Sequence, residues 1–224
     1  MRVRMKAAAA TALAAVFLLG GALANADGGF NRKYEVTITN LTPGQTFTPQ
    51  LVATHSAKVG LFELGQPASE ALEILAEGGD TAPLTDVLLA SPYEVADVQT
   101  IPGLLGPGQS VTVVVESTRF QRYLSLAAML IPTNDSFVGL NDFVLPSTSN
   151  ATFAPAYDAG TEENDELCAN IPGPRCGGEG VSIADGEGFI YISQGMQGVG
   201  DLPAERYDWR NPVAYITVRR IPSP

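Results

Sequence analysis

The sequence predicts an all-β protein, an antiparallel β-sandwich with one or two short helices. Three observations predict it. Several short runs alternate apolar and polar residues with a period of two, the pattern of a half-buried strand. Glycine and proline, 23 and 16 of the 224 residues, punctuate the intervals and favour many tight connections. Helical spacing is confined to one stretch between Ser69 and Leu89.

The elements follow in order. Lys33 to Thr39 alternates strictly, with Tyr34, Val36 and Ile38 on one face. Asn40-Leu41-Thr42-Pro43-Gly44 reads as a turn. Phe47 to Thr54 reads as a second strand, in which Pro49 implies an edge or a bulge because proline has no N–H to give a ladder. Ser69 can cap a helix over Glu70 to Glu77, which carries Leu72, Leu75 and Ala76 on one side and stops at Gly78-Gly79. Leu84 to Leu89 has the spacing of a second short helical turn. Further strands are expected at Ser110 to Glu116, Tyr123 to Ile131, Phe137 to Val144, Phe189 to Ile192 and Val213 to Arg219. The run from Tyr123 is largely apolar, as a fully buried strand would be.

The first 26 residues read as an export signal. Arg2, Arg4 and Lys6 precede the apolar, alanine-rich run Ala7 to Ala24, and Ala24-Asn25-Ala26 fits a small-x-small cleavage site. A membrane anchor is the rival reading, since about 18 apolar residues are only marginally enough to span a bilayer. Cleavage would leave a single domain over residues 27–224, secreted or periplasmic, with no membrane span. It would also remove three of the 13 basic residues and none of the 24 acidic ones. Ten basic against 24 acidic residues then give a net charge of −14. That balance argues against nucleic acid and anionic lipid as partners, both of which need a basic face. In an exported chain Cys168 and Cys176 are expected to pair, closing a small loop around Pro172-Gly173-Pro174. Two cysteines and one histidine fall short of a usual structural zinc set.

Three acidic residues stand at strand ends or in turns. Glu116 ends a valine-rich strand, Asp135 closes the turn Pro132-Thr133-Asn134-Asp135, and Asp158 opens Asp158-Ala159-Gly160-Thr161. Loops of a sandwich gather at two poles, so distant residues can meet there. Carboxylates left together repel and raise one another's pKa, and a divalent cation with oxygen ligands removes the conflict. Asp142, Thr161, Glu162 and Asp165 are further candidate ligands. The bland alternative is that aspartate simply favours turns for its own backbone hydrogen bonds.

Other constellations offer less. His55 is the only histidine, so a Ser-His-Asp hydrolase would have to use it, yet no Gly-x-Ser-x-Gly elbow occurs. A carboxylate pair could instead serve a secreted or periplasmic hydrolase of envelope polymers. A structural hydrogen-bonding role suits His55 better. Trp209, between Asp208 and Arg210, either packs over the sandwich end or grips a partner, and packing is favoured. The glycine-rich segments around residues 177–188 lack the lysine and helix of a phosphate loop.

Two segments resemble a known family. Pro132-Thr133-Asn134-Asp135-Ser136-Phe137-Val138-Gly139-Leu140 is similar to the Pro-Ser-Pro-Asp-Trp-Phe-Val-Gly-Val stretch of the spondin N-terminal domain, found in the extracellular F-spondin and mindin proteins. Tyr157-Asp158-Ala159-Gly160-Thr161 matches that domain's Tyr-Asp-Ala-Gly-Thr, and Leu51-Val52-Ala53-Thr54-His55 resembles its bacterial members. Ser136 departs from the family's usual tryptophan, and Asp165 to Cys176 looks like a local insertion. The resemblance implies a C2-like sandwich and a bound calcium ion (Ca²⁺) held by acidic side chains. These would fall on Asp135 and Asp158 by motif, and on Glu116 by its spacing before the Asp135 motif. It further implies a non-enzymatic module acting by cell adhesion or ligand recognition, with an extracellular protein or glycan as partner.

Overall fold

A computed structural model describes residues 31–182 and 186–222. The export signal expected over residues 1–26 lies outside the described residues. Eleven strands form two antiparallel sheets, accompanied by three short helices.

The smaller sheet contains β5 (Ser110–Ser117), β1 (Arg32–Asn40), β11 (Ala214–Ile221) and β8 (Ser149–Ala154), in that order. The larger runs β10 (Tyr191–Ile192), β9 (Ala156–Asp158), β7 (Ser136–Val144), β6 (Tyr123–Ile131), β3 (Gln50–His55), β4 (Val95–Ile101). The two-residue β2 (Thr46–Phe47) pairs with β6. Tyr34, Val36 and Ile38 point inward from β1 as their alternation predicts, and meet Leu124, Leu126, Ala128 and Leu130 of β6 in the sandwich core.

The larger sheet is buried on both faces. Val52 of β3 and the even-numbered residues of β6 face the sandwich core. Leu51, Ala53 and Ala127 face the opposite way, onto α1 (Glu70–Gly78) and α2 (Ala82–Leu89) through Leu72, Leu75, Leu84 and Leu88. Two-sided burial explains why β6 reads as an almost continuous apolar run. Helix α1 forms as its signals predict. The Ser69 hydroxyl accepts the Leu72 amide at 3.3 Å, and Gly79 closes the helix in the left-handed region at φ 70°.

Three differences from the sequence reading have local causes. The strand expected over Phe47 to Thr54 is split at Thr48-Pro49 into β2 and β3, and β3 lies between β6 and β4 rather than at an edge. Pro49 sits at the break, where its missing N–H costs the ladder nothing. Strand β4 lacks the alternation of a strand, because Val95, Val98 and Ile101 recur every third residue. Its register against β3 shifts between Thr54 and His55, which breaks the two-residue period. Strands β8 and β9 are short and separated only by Pro155, so neither shows a clear alternation. The chain from Asp165 onward packs back on the sandwich. Cys168 and Cys176 form a disulfide, Trp209 is 5 % exposed within the core, and β11 runs between β1 and β8.

Candidate metal centre

The site is built where β6 hands over to β7. After Ile131 the chain turns through Pro132 to Asp135, and the Thr133 hydroxyl accepts the Ser136 amide at 3.2 Å. Ser136, at the start of β7, pairs with Asp158 at the end of β9, and Tyr191 of β10 pairs with Asp158 from the other side. The Ala159 amide donates to the Asp135 carbonyl at 3.3 Å. These pairings bring the carboxyl groups of Asp135 and Asp158 together at one end of the larger sheet. Gly160 follows in the left-handed region at φ 67°. A side chain there would put its Cβ 2.3 Å from the Phe189 carbonyl oxygen, so the turn after Asp158 accepts only glycine.

Both aspartates are buried, at 0 % and 2 % exposure. Oδ2 of Asp135 accepts the Thr161 amide at 2.8 Å, the Thr161 hydroxyl at 3.3 Å and the Glu162 amide at 3.2 Å. Oδ1 of Asp135 is buried and has no hydrogen-bond partner among the described residues. Asp158 accepts the Gly160 amide through Oδ1 and the Asn164 side-chain amide through Oδ2, both at 3.0 Å. Asn164 also donates to the Tyr191 hydroxyl at 3.2 Å.

The neighbouring charges that act on the pair are themselves acidic. Burial, then the neighbouring charge of Asp158, pushes the Asp135 carboxyl up to about 8, against the opposing pull of the Thr161 and Glu162 amides. Asp158 is raised as well, by burial and then by the charge of Glu187, while Asn164 and Gly160 hold it down. Burial and the charges of Asp158 and Glu187 raise the Tyr191 phenol. The ion pairs Lys33–Glu116, Lys58–Glu94, Arg210–Asp208 and Arg219–Glu35 all lie elsewhere.

Glu116 is not brought to this pole. It lies on β5 in the smaller sheet, half-exposed, with its carboxylate 3.0 Å from Lys33 Nζ. Its carbonyl accepts the Thr54 hydroxyl, and Thr54 pairs with Leu124 near the start of β6. Asp135 lies beyond the far end of that strand. The six steps from Leu124 to Leu130 span about 20 Å at roughly 3.3 Å per residue. The spacing argument for Glu116 fails because β5 ends beside the opposite pole.

The further candidates divide. Thr161 and Glu162 meet Asp135 through their backbone amides, but the Glu162 side chain turns away to the Ser182 hydroxyl at 2.6 Å. Asp165 is taken up by structure, accepting the Asn134 and Asn170 side-chain amides and the Leu167 amide. Asp142 lies toward the other end of β7, beside a cavity of about 490 Å³ that it shares with Lys58, Phe62 and Tyr157. Among the described residues, no group of three or more His, Cys, Asp or Glu side chains is gathered to hold a metal ion. Asn164, Tyr191 and Glu187 were not nominated from sequence. Only the pairing of Tyr191 with Asp158 reveals them.

His55 is fully buried. Its Nδ1 donates to the Ser56 carbonyl at 2.8 Å and its Nε2 lies 2.7 Å from the Ser125 hydroxyl. Both ring nitrogens are engaged by structural partners, and neither partner is a carboxylate. Ser136, where the resemblance expects tryptophan, is buried and bonds the Ser193 hydroxyl at 2.9 Å.

The family model described as Spondin_N, the spondin N-terminal domain, matches residues 29–165. That span includes Asp135, Asp158 and the turn between them and Asn164. No curated protein matches the chain.

Proposed function

This chain belongs to the spondin N-terminal domain family, whose members are extracellular, non-catalytic β-sandwich modules, and from that premise we propose that it is an exported Ca²⁺-binding module acting by adhesion or ligand recognition. The observation that carries the reading is the buried Asp135 carboxylate, whose Oδ1 has no partner, beside the buried Asp158. An uncompensated buried charge is costly, and a hard divalent cation with oxygen ligands compensates two at once. The donor set fits: Asp135 and Asp158 would hold the ion, and water or backbone carbonyls would complete a shell that calcium accepts at flexible geometry. The ion supplies charge neutralisation and ties the turn before β7 to the turn after β9. No reaction is needed for that role, which suits contact with an extracellular protein or glycan. The resemblance that points to these aspartates and their burial both support the reading.

Extracellular calcium modules bind at about 10⁻⁴–10⁻³ M. Calcium at about 100 times the dissociation constant stabilises a fold by roughly 2.7 kcal/mol. In a domain of this size that moves the melting temperature by roughly 5–10 °C. Thermal melts of the full chain in EDTA and in excess CaCl₂ test the reading. An unchanged midpoint contradicts it.

A further inference from the structure

Behind the Asp135–Asp158 pair lies a second buried acidic pair. Glu77 is the next-to-last residue of α1 and is 0 % exposed; Glu162 is 2 % exposed. Both carboxylates are held by one residue. The Ser182 amide donates to Glu77 Oε2 at 3.0 Å, and the Ser182 hydroxyl donates to Glu162 Oε1 at 2.6 Å. The remaining oxygen of each, Glu77 Oε1 and Glu162 Oε2, is buried and has no hydrogen-bond partner among the described residues. The Thr161 side chain lies within reach of Glu77.

Two features make this arrangement poor for a metal-free fold. Each side chain is removed from water with half of its acceptor capacity unmet, and each lies within reach of the other's charge. Glu77 also stands at the C-terminal end of α1, where the helix dipole is negative and a carboxylate is disfavoured. The last turn of α1 carries no basic residue to offset it. A cation here would satisfy both free oxygens, the charge pair and the helix end.

We propose that Glu77 and Glu162 form a second site for a hard divalent cation of the calcium class, adjacent to the Asp135–Asp158 centre. The hydroxyls of Ser182 and Thr161 lie against the same carboxylates as further oxygen donors. The dipeptide Thr161-Glu162 joins the two centres. Its amides cap Asp135, and its side chains reach Glu77 and Ser182. Filling one centre therefore orders the backbone that frames the other.

The test is the calcium stoichiometry of the full chain, read by equilibrium dialysis and by native mass spectrometry. Wild type takes up two equivalents, Glu77→Gln loses one, and Asp158→Asn loses the other. Melts of Glu77→Gln in EDTA verify that its fold is intact; should it fail to fold, Glu162→Gln carries the same comparison. A Glu77→Gln protein that takes up as much calcium as wild type overturns the second site and shows a pair that merely shares a proton. Loss of uptake confined to Asp158→Asn leaves the first centre standing alone. Loss confined to Glu77→Gln supports the second centre and removes the first.

Discussion

Asp135 takes the amides of Thr161 and Glu162 on a single carboxylate oxygen and leaves the other, Oδ1, buried and unbonded beside Asp158. One oxygen serves the fold and the other is spare. This asymmetry separates the centre from an ordinary aspartate turn, in which the carboxylate is consumed by its own backbone.

Asp135→Asn should keep the fold and lose the first centre's share of the calcium response. An asparagine oxygen can still accept the two amides, and at pH 7 a carboxyl pushed up to about 8 is already mostly neutral. In EDTA the midpoint should therefore stay within about 1 kcal/mol of wild type. The calcium-dependent rise should shrink to what the Glu77–Glu162 pair supplies, as it should in Asp158→Asn. Paired melts with and without calcium check both variants.

The metal-free protein should lose stability as the pH rises. The folded-state pKa of Asp135, about 8, lies above the unfolded value of about 3.9. The folded state thus holds a proton that the unfolded state releases. The contribution is complete below about pH 4 and is lost as the pH climbs through 8. Glu162, at about 7, acts in the same direction. In EDTA the midpoint at pH 6 should exceed that at pH 8.5; calcium should reduce the difference, and Asp135→Asn should flatten it.

Glu116→Gln should leave calcium binding unchanged. Its partner is Lys33 at 3.0 Å on the surface, and exposed ion pairs contribute about 0–1 kcal/mol. A calcium titration matching wild type is the expected result.

His55→Ala should destabilise without touching any ligand. The ring is fully buried and bonded to Ser56 and Ser125. Its removal leaves a cavity and unpaired partners, at a cost of about 2–4 kcal/mol. Denaturant unfolding measures this.

Much of this architecture was legible in the chain. The alternation of Tyr34, Val36 and Ile38 identifies β1 because one face of the smaller sheet is dry and the other wet. The same rule fails for β4, where a bulge resets the period, and for β9, whose three residues are too few to show one. Asp135 and Asp158 were found through local motifs, and pairing across β7 and β9 is what unites them. Glu116 was assigned by distance along the sequence, which carries no information about which pole a strand end reaches. Glu77 gave only a faint signal, an acidic residue at a helix end that favours basic ones. Its meeting with Glu162 depends on the loop carrying Ser182, which no periodicity foretells.

Calorimetric titration of the purified chain with CaCl₂ bears most directly on the unpartnered oxygen of Asp135. Wild type should bind with a dissociation constant near the extracellular range of about 10⁻⁴–10⁻³ M, and Asp135→Asn should lose an equivalent of that binding. A wild-type protein that releases no heat and takes up no calcium, or an Asp135→Asn variant that binds as wild type does, would contradict the account.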